Sequence, residues 1–354
     1  MKFLLGGIAV IVLGVGVMFL IMNNGAAKTN PFPDFNVMPP LPENETVAAG
    51  GKDKSSGFGS DRVNQGQEAK PVPFDGKRAM RYLQSICDLG PRISGSAAMR
   101  KQQQLIKKHF EEFGAKITYQ AFEAEQNSVR GKVEMTNIIV SFQPEKKRRV
   151  IICSHYDTRP IADQEPDPRD WKKPFVSAND GGSGVALMME MGNHMKGLKT
   201  NVGVDFVIFD GEEYIFRPDG ANRDRYFIGS EHFAQTWRQT KDRVDYSAAI
   251  LLDMIAGNKL RLPVEINSHR RYPKLCEEVW GVARELNAKA FKWERGHEVQ
   301  DDHIELQKVG IPAIDIIDFD YDHWHRLSDT PANCSAASFE QVAGVLSVWL
   351  QRTK

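Results

Sequence analysis

The chain opens on an unbroken run of apolar residues and glycine, Phe3 to Met22, preceded only by Met1 and Lys2. At about 1.5 Å of helical rise per residue, roughly 20 residues cross a ~30 Å hydrocarbon layer. The run is also longer than the ~7–15 apolar residues of a signal-peptide core. It predicts a single-pass signal-anchor over residues 1–23, with the body on the extracytoplasmic side. Cleavage near Ala26-Ala27 would instead give a secreted protein. From 24 to 72 the periodicity stops. Pro31-Phe32-Pro33, Pro39-Pro40, Gly50-Gly51 and Ser55-Ser56-Gly57 break every candidate element, which predicts a flexible linker.

The body, 73–354, alternates between two patterns. Asp75 is placed to cap a helix running to Cys87. Ser96 is placed to cap a second, with Ile106, Phe110 and Phe113 along one face. Continuous β-rich apolar runs follow at 137–142, 150–153, 204–209, 249–254 and 313–317. Runs without polar alternation suit strands covered on both faces. Between and after them lie helical stretches at 184–196, 230–237, 272–286 and 335–350. The alternation predicts an α/β fold, a three-layer sandwich around a mostly parallel central sheet.

Composition narrows the function. With 46 Lys+Arg against 46 Asp+Glu the net charge is zero, which argues against a nucleic-acid partner. The cysteines at 87, 153, 276 and 334 lie far apart, so neither a zinc ribbon nor a disulfide scaffold is indicated.

In open parallel sheets, sites form beyond the carboxyl ends of the strands. At those positions the sequence carries His155 and Asp157, then Glu212-Glu213, then Asp253, then Asp322-His323-Trp324-His325. Asp180 opens a helix in Asn179-Asp180-Gly181-Gly182. One polar strand end is ordinary, but five acid or imidazole clusters in series point to a shared site. Their nitrogen and oxygen donors suit Zn²⁺. No H-E-x-x-H, G-x-S-x-G or P-loop competes with that reading.

At these residues the chain resembles the zinc aminopeptidase family M28. The resemblance rests on His155-x-Asp157, Asn179-Asp180-Gly181-Gly182-Ser183-Gly184, Glu212-Glu213, Asp253 and His325, with Leu89 to Ser96 similar to an N-terminal signature. It covers about 76–352 and implies a phosphorylase/hydrolase-like sandwich. Within the family, the stretch Val299-Gln300-Asp301-Asp302-His303, Trp324 beside His325, and a long insertion from Tyr214 to Ile228 resemble the glutaminyl cyclases. Two features depart from them. The insertion holds no tryptophan, Phe216 being the nearest aromatic, and the Asp180 segment reads more like an aminopeptidase.

The cyclase resemblance implies one zinc on Asp180, Glu213 and His325. It implies Glu212 as general acid–base, with Asp253 and Asp301 in a hydrogen-bond network around the leaving group. Gln300 and Trp324 would contact the substrate, a peptide or protein N-terminus. His155, oriented by Asp157, would then stand outside the zinc shell. The alternative is a two-zinc aminopeptidase in which His155 and Asp253 join the ligands. A third reading, a non-catalytic binding ectodomain, would lack ligands, and every ligand position here is filled. His303 is expected to be structural, His323 solvent-facing, and Asp315 and Asp318 loop or strand-end polar groups without a role.

Overall fold

A computed structural model describes residues 69–217 and 223–354. The expected anchor, 1–23, lies outside the described residues, as does the expected linker up to 68. No helix among the described residues is long and apolar enough to cross a membrane. The last linker residues are already docked. The Val72 N–H donates to Ser347 Oγ at 3.3 Å, and Gln351 Nε2 donates to the Lys70 carbonyl at 2.7 Å. Lys70 and Val72, ahead of the expected boundary, are thus tied to the C-terminal helix.

In chain order the body runs α1 (Gly76–Cys87), α2 (Ala97–Glu111), β1 (Lys116–Glu125), β2 (Lys132–Phe142), β3 (Arg148–His155), α3 (Ser183–Met195), β4 (Gly203–Phe209) and α4 (Ile228–Thr240). It continues with β5 (Asp245–Asp253), β6 (Leu262–Val264), α5 (Ile266–Arg271), α6 (Pro273–Glu285), β7 (Phe291–Arg295), α7 (Asp302–Lys308), β8 (Ala313–Ile317) and α8 (Ala336–Arg352). Asp75 and Ser96 cap α1 and α2 through their side chains, as their positions predict.

The main sheet has six strands in the order β1-β2-β4-β3-β5-β8. β4, β3, β5 and β8 are parallel, while β1 and β2 form an antiparallel hairpin on the β4 edge. The sheet is thus mixed, with a parallel centre. β1 escaped the sequence reading because it is a half-exposed edge strand with no continuous apolar run.

Period-two alternation explains why the central strands look uniformly apolar. Val150, Ile152, Val204, Phe206, Ile208, Ile250 and Leu252 face a core shared with α1, α2, α3, α6 and α8. Their neighbours Ile151, Cys153, Val207, Phe209, Ala249 and Leu251 face a second core with α4 and with Leu306 of α7. Both faces are buried, so both sets must be apolar. The result is three layers. Strand order reverses at β3, which has β4 on one side and β5 on the other. This is a topological switch point, where such sheets open a crevice.

The amino ends of the central strands, opposite the crevice, are held by a buried ion pair. Arg149 Nε and Nη2 donate to Asp205 at 2.8 and 2.6 Å, and Tyr246 Oη donates to the same carboxylate at 2.7 Å. Removing one partner strands a buried charge. Asp205→Ala is expected to cost about 3–5 kcal/mol in urea unfolding, whereas an exposed pair such as Arg270–Glu298 should cost under about 1 kcal/mol when broken.

Candidate metal and catalytic site

The carboxyl ends of the parallel strands bring the expected clusters together. β3 ends at His155, paired in register with Phe209 of β4, and Asp253 of β5 pairs with Ile317 of β8. Loops leaving these four ends carry the remaining residues.

Ligand atoms of His155, Asp180 and Glu213 lie within 4.8 Å of one another. His155 Nε2 is 3.1 Å from Asp180 Oδ1 and 3.5 Å from Asp253 Oδ1. His325 closes the other side, with Nε2 at 2.9 Å from Glu213 Oε2 and 3.6 Å from Asp180 Oδ2. Asp180 is therefore shared by two imidazoles. Among the described residues the donor group close enough to hold an ion is His155, Asp180 and Glu213, so His155, expected outside the zinc shell, stands with the ligand candidates, while His325 touches both carboxylates from the other side. A cation suits this donor set on its own terms: Asp180 Oδ2 is buried and accepts no hydrogen bond.

Close backbone packing sets the Asp180 turn. Gly181 has φ +72°, and a Cβ there would lie 2.5 Å from the Asp157 carbonyl oxygen and 2.9 Å from His155 Cε1. At Gly184 a Cβ would strike Ser154 Oγ, so α3 can approach β3 only without a side chain there. The turn is held further by Asp329, whose carboxylate accepts the N–H groups of Asn179 and Asp180 at 2.9 and 3.1 Å. The Leu89–Ser96 segment serves the same loops. Buried Arg92 donates to the Val176 and Ser177 carbonyls, and Ser94 Oγ donates to Asp210 at 2.6 Å.

Asp157 does more than orient His155. It lies 3.5 Å from His155 Nδ1, and its two oxygens accept the backbone N–H groups of Glu212 and Glu213 at 3.1 and 3.2 Å. Glu213 then points inward while the Glu212 carboxylate approaches His155 Nδ1 at 3.9 Å, with 13% of its side chain exposed. The insertion after Glu213 is tied back to this turn: Phe227 N–H donates to the Glu212 carbonyl at 2.8 Å, and Gln126 bridges the Tyr214 and Arg225 carbonyls. Phe216 packs away from the site against Tyr214, within a cluster that includes Ala124 and Met135. The insertion aromatic tied to the ligand network is Tyr226, whose ring centroid lies 5.5 Å from the Arg159 guanidinium.

The chain matches the model of peptidase family M28 over residues 137–350. It belongs to family M28. Among solved structures, this M28 protein resembles the Fimbriiglobus ruber glutaminyl cyclase at 52% identity and TM-score 0.79, covering 80% of this chain and 97% of that one. A leucine aminopeptidase precursor from Bacteroides thetaiotaomicron matches at 27% identity and TM-score 0.73, covering 80% and 100%. The glutaminyl-peptide cyclotransferase of Bothrops jararaca is 24% identical over 293 residues, 73% of this chain and 76% of the relative.

The remaining expected residues of the M28 site fall as follows. Trp324 is half-buried with its ring 4.1 Å from the His325 ring and 5.1 Å from Phe319. It borders an open cleft of about 510 Å³ together with Phe319, Tyr321 and His323. Asp301 is buried at the N-cap of α7 and accepts the Asp302 N–H at 2.6 Å. Gln300, one residue earlier, is exposed. His323 bonds Ser328 Oγ and stays out of the ligand set. Asp318 accepts the Arg261 N–H in a loop role. Asp315 departs from expectation: it sits inside β8, fully buried.

Burial dominates the electrostatics. It pushes Glu212 well above the carboxylate range, opposed by His155 and aided by the Glu213 carboxylate. It raises Glu213 to about 7, with Asp180 adding to the rise. Burial and then Asp253 push Asp301 well up. His325 runs the other way. Burial and Arg159 oppose its charge, but Glu213 and Asp163 raise it to about 9.

Asp163, Arg159 and Asp329 were missed from the sequence, since lone polar residues in loops carry no pattern. Asp163 Oδ1 is 2.8 Å from His325 Nδ1, and Arg159 Nη2 donates to Asp163 Oδ2 at 2.9 Å. A carboxylate on the far ring nitrogen fixes the tautomer and aims Nε2 at a metal. His325 also holds φ +52°, a conformation its surroundings must maintain. Asp163→Asn is expected to weaken zinc affinity by about 10–100-fold in competition with a chelator, with the fold's melting temperature little changed.

Proposed function

We propose that this M28 protein is a zinc-dependent glutaminyl-peptide cyclotransferase, converting the N-terminal glutamine of peptides or proteins to pyroglutamate with release of ammonia. The observation that carries the reading is 52% identity to the F. ruber glutaminyl cyclase across 97% of that chain. The position of Trp324 against His325 supports it.

In the reaction, the substrate's α-amine attacks its own side-chain amide carbon. A C–N bond forms, the ring closes, and the amide nitrogen leaves as ammonia. Zinc on Asp180, Glu213 and His325 would supply Lewis-acid polarisation of the amide oxygen. Glu212 takes the proton from the attacking amine and returns it to the leaving nitrogen. Its raised affinity for a proton matches that double task. Asp253, partly exposed, and Asp301, buried, both have their proton affinity pushed up first by desolvation, which suits them to hold the leaving-group side through hydrogen bonds. Trp324 and Phe319 form an apolar wall over His325, which folds the glutamine side chain back and limits water. Gln300, exposed at the rim next to Asp301, contacts the peptide.

The second reading is a two-zinc aminopeptidase. It is favoured by one observation, the placement of His155 Nε2 between Asp180 and Asp253. Gln-led and Leu-led dipeptides, with ammonia and free amino acid followed separately, decide between them. Ammonia and a pyroglutamyl product from the Gln-led peptide alone support the cyclase. Free amino acids from both peptides would overturn it. Trp324→Ala separates the readings further. A cyclase needs reacting atoms within about 3–3.5 Å, so loss of the wall should cut cyclisation by about 10²-fold with zinc retained. Residual product should shift toward glutamate as water enters.

The membrane expectation stands as part of this proposal. A single-pass anchor over 1–23 would place the enzyme at a membrane surface, acting on extracytoplasmic peptides. Comparing membrane and soluble fractions for the full chain and for a 69–354 fragment tests it.

A further inference from the structure

Behind the site lies a group of buried ionisable side chains that the proposed reaction does not use. His303, the second residue of α7, is fully buried, and neither ring nitrogen makes a hydrogen bond. Nε2 faces Glu265 Oε2 at 3.4 Å, and Nδ1 faces Asp315 Oδ2 at 3.8 Å. Glu265 and Asp315 are themselves buried. The imidazole is thus set between two carboxyl groups, one facing each ring nitrogen.

The two carboxyls differ. Glu265 caps α5 and accepts the N–H groups of Asn267 and Ser268, the Ser268 hydroxyl, and the N–H of Val299. Four donors on one carboxyl select its ionised form. Asp315, on β8, accepts no hydrogen bond at either oxygen. Burial, then the Asp301 carboxylate, push its proton affinity well up.

Connectivity gives the trio a purpose. Glu265 and Asn267 bind both backbone groups of Val299, and the Ile266 N–H binds the His297 carbonyl, so α5 fixes the segment entering Gln300 and Asp301. Asp301 then caps the helix that carries His303. Ser268 joins the remaining element, its hydroxyl accepting the Asp315 N–H at 2.9 Å. Three elements that place Asp301 meet at one imidazole. A residue needed for packing alone would be cheaper as an apolar side chain, because a buried charge must offset its own desolvation.

We propose that Glu265, His303 and Asp315 form a buried charge relay that holds Asp301 in place at the start of α7, with His303 as a positioning residue for the proton transfers of cyclisation. The catalytic part rests on the cyclase reading. The charge relay itself does not.

The test is a double-mutant cycle on the full chain with zinc bound: wild type, His303→Gln, Asp315→Asn and the double variant. Thermal midpoint, zinc content, kcat and KM on a Gln-led dipeptide are measured. His303→Gln should lower kcat by about ten-fold or more with KM and zinc content nearly unchanged, since displacement of a reacting group acts on the chemical step. It should also lower the midpoint, because it leaves buried Asp315 without the imidazole it faces. Adding Asp315→Asn should then restore about three-fold or more in kcat and raise the midpoint above that of His303→Gln. Additive effects on both readouts, or wild-type kcat in His303→Gln, would overturn the proposal. If His303→Gln does not fold, the double variant must still fold, and its failure to do so also overturns it. If the wild type does not cyclise, the cyclase reading falls. The midpoint cycle then decides the relay: a non-additive result upholds it and an additive one removes it.

Discussion

Replacing any one of Asp180, Glu213 and His325 by alanine is expected to abolish turnover and to strip most of the zinc measured by metal analysis. Three protein ligands around a catalytic zinc leave one position for substrate and little redundancy. The geometry makes each loss severe in a different way. Asp180 contacts both imidazoles, so its removal opens the whole cluster. Glu213 is held on two sides, by His325 and by the Arg159 backbone N–H at 2.9 Å, and its loss leaves that buried N–H without its acceptor. His325 links the ligands to Asp163. His155→Ala is the informative companion. In a one-zinc enzyme it should retain near-stoichiometric zinc, whereas a two-zinc enzyme should lose one equivalent. Full zinc occupancy in all three alanine variants would defeat the ligand assignment.

Glu212→Gln should retain zinc while kcat falls by about 10²-fold or more. The substitution keeps size and shape but cannot accept a proton, and general acid–base help is typically worth about 10²–10⁴-fold. Glu212 is suited to the role because Asp157 holds its backbone while its carboxyl stays partly open, 13% exposed, beside His155. The neighbouring Glu213 has no such freedom. Both residues share one turn, so the prediction separates proton transfer from metal binding within a dipeptide. Near-normal kcat in the variant would transfer the role to Asp253.

Much of this was legible in the sequence. The central strands β3, β4, β5 and β8 appear as continuous apolar runs because both their faces meet a core. Asp75 and Ser96 marked helix starts by local capping chemistry alone. The ligand candidates were found because a parallel sheet places its chemistry at the strand ends, where five polar clusters interrupt the apolar runs. β1 was not legible, since an exposed edge strand needs no apolar run. α7 was also missed: at seven residues it is too short for helical periodicity, and its Asp301 cap reads equally well as a loop acid.

The sequence by itself determined the layer architecture, the helix caps and the set of acids and imidazoles available to a metal. These depend on local periodicity and on rules that relate strand ends to sites. Tertiary structure decided which of those groups meet, and in what order. Asp157 spends its carboxylate on the Glu212–Glu213 turn, Asp163 and Arg159 brace His325, and Asp315 turns out to be a buried strand residue facing His303. None of these roles has a sequence signature, because each is a contact between segments far apart in the chain. Residue type gives the donor set, but only the closing of the sheet, with β3 between β4 and β5, converts it into a site.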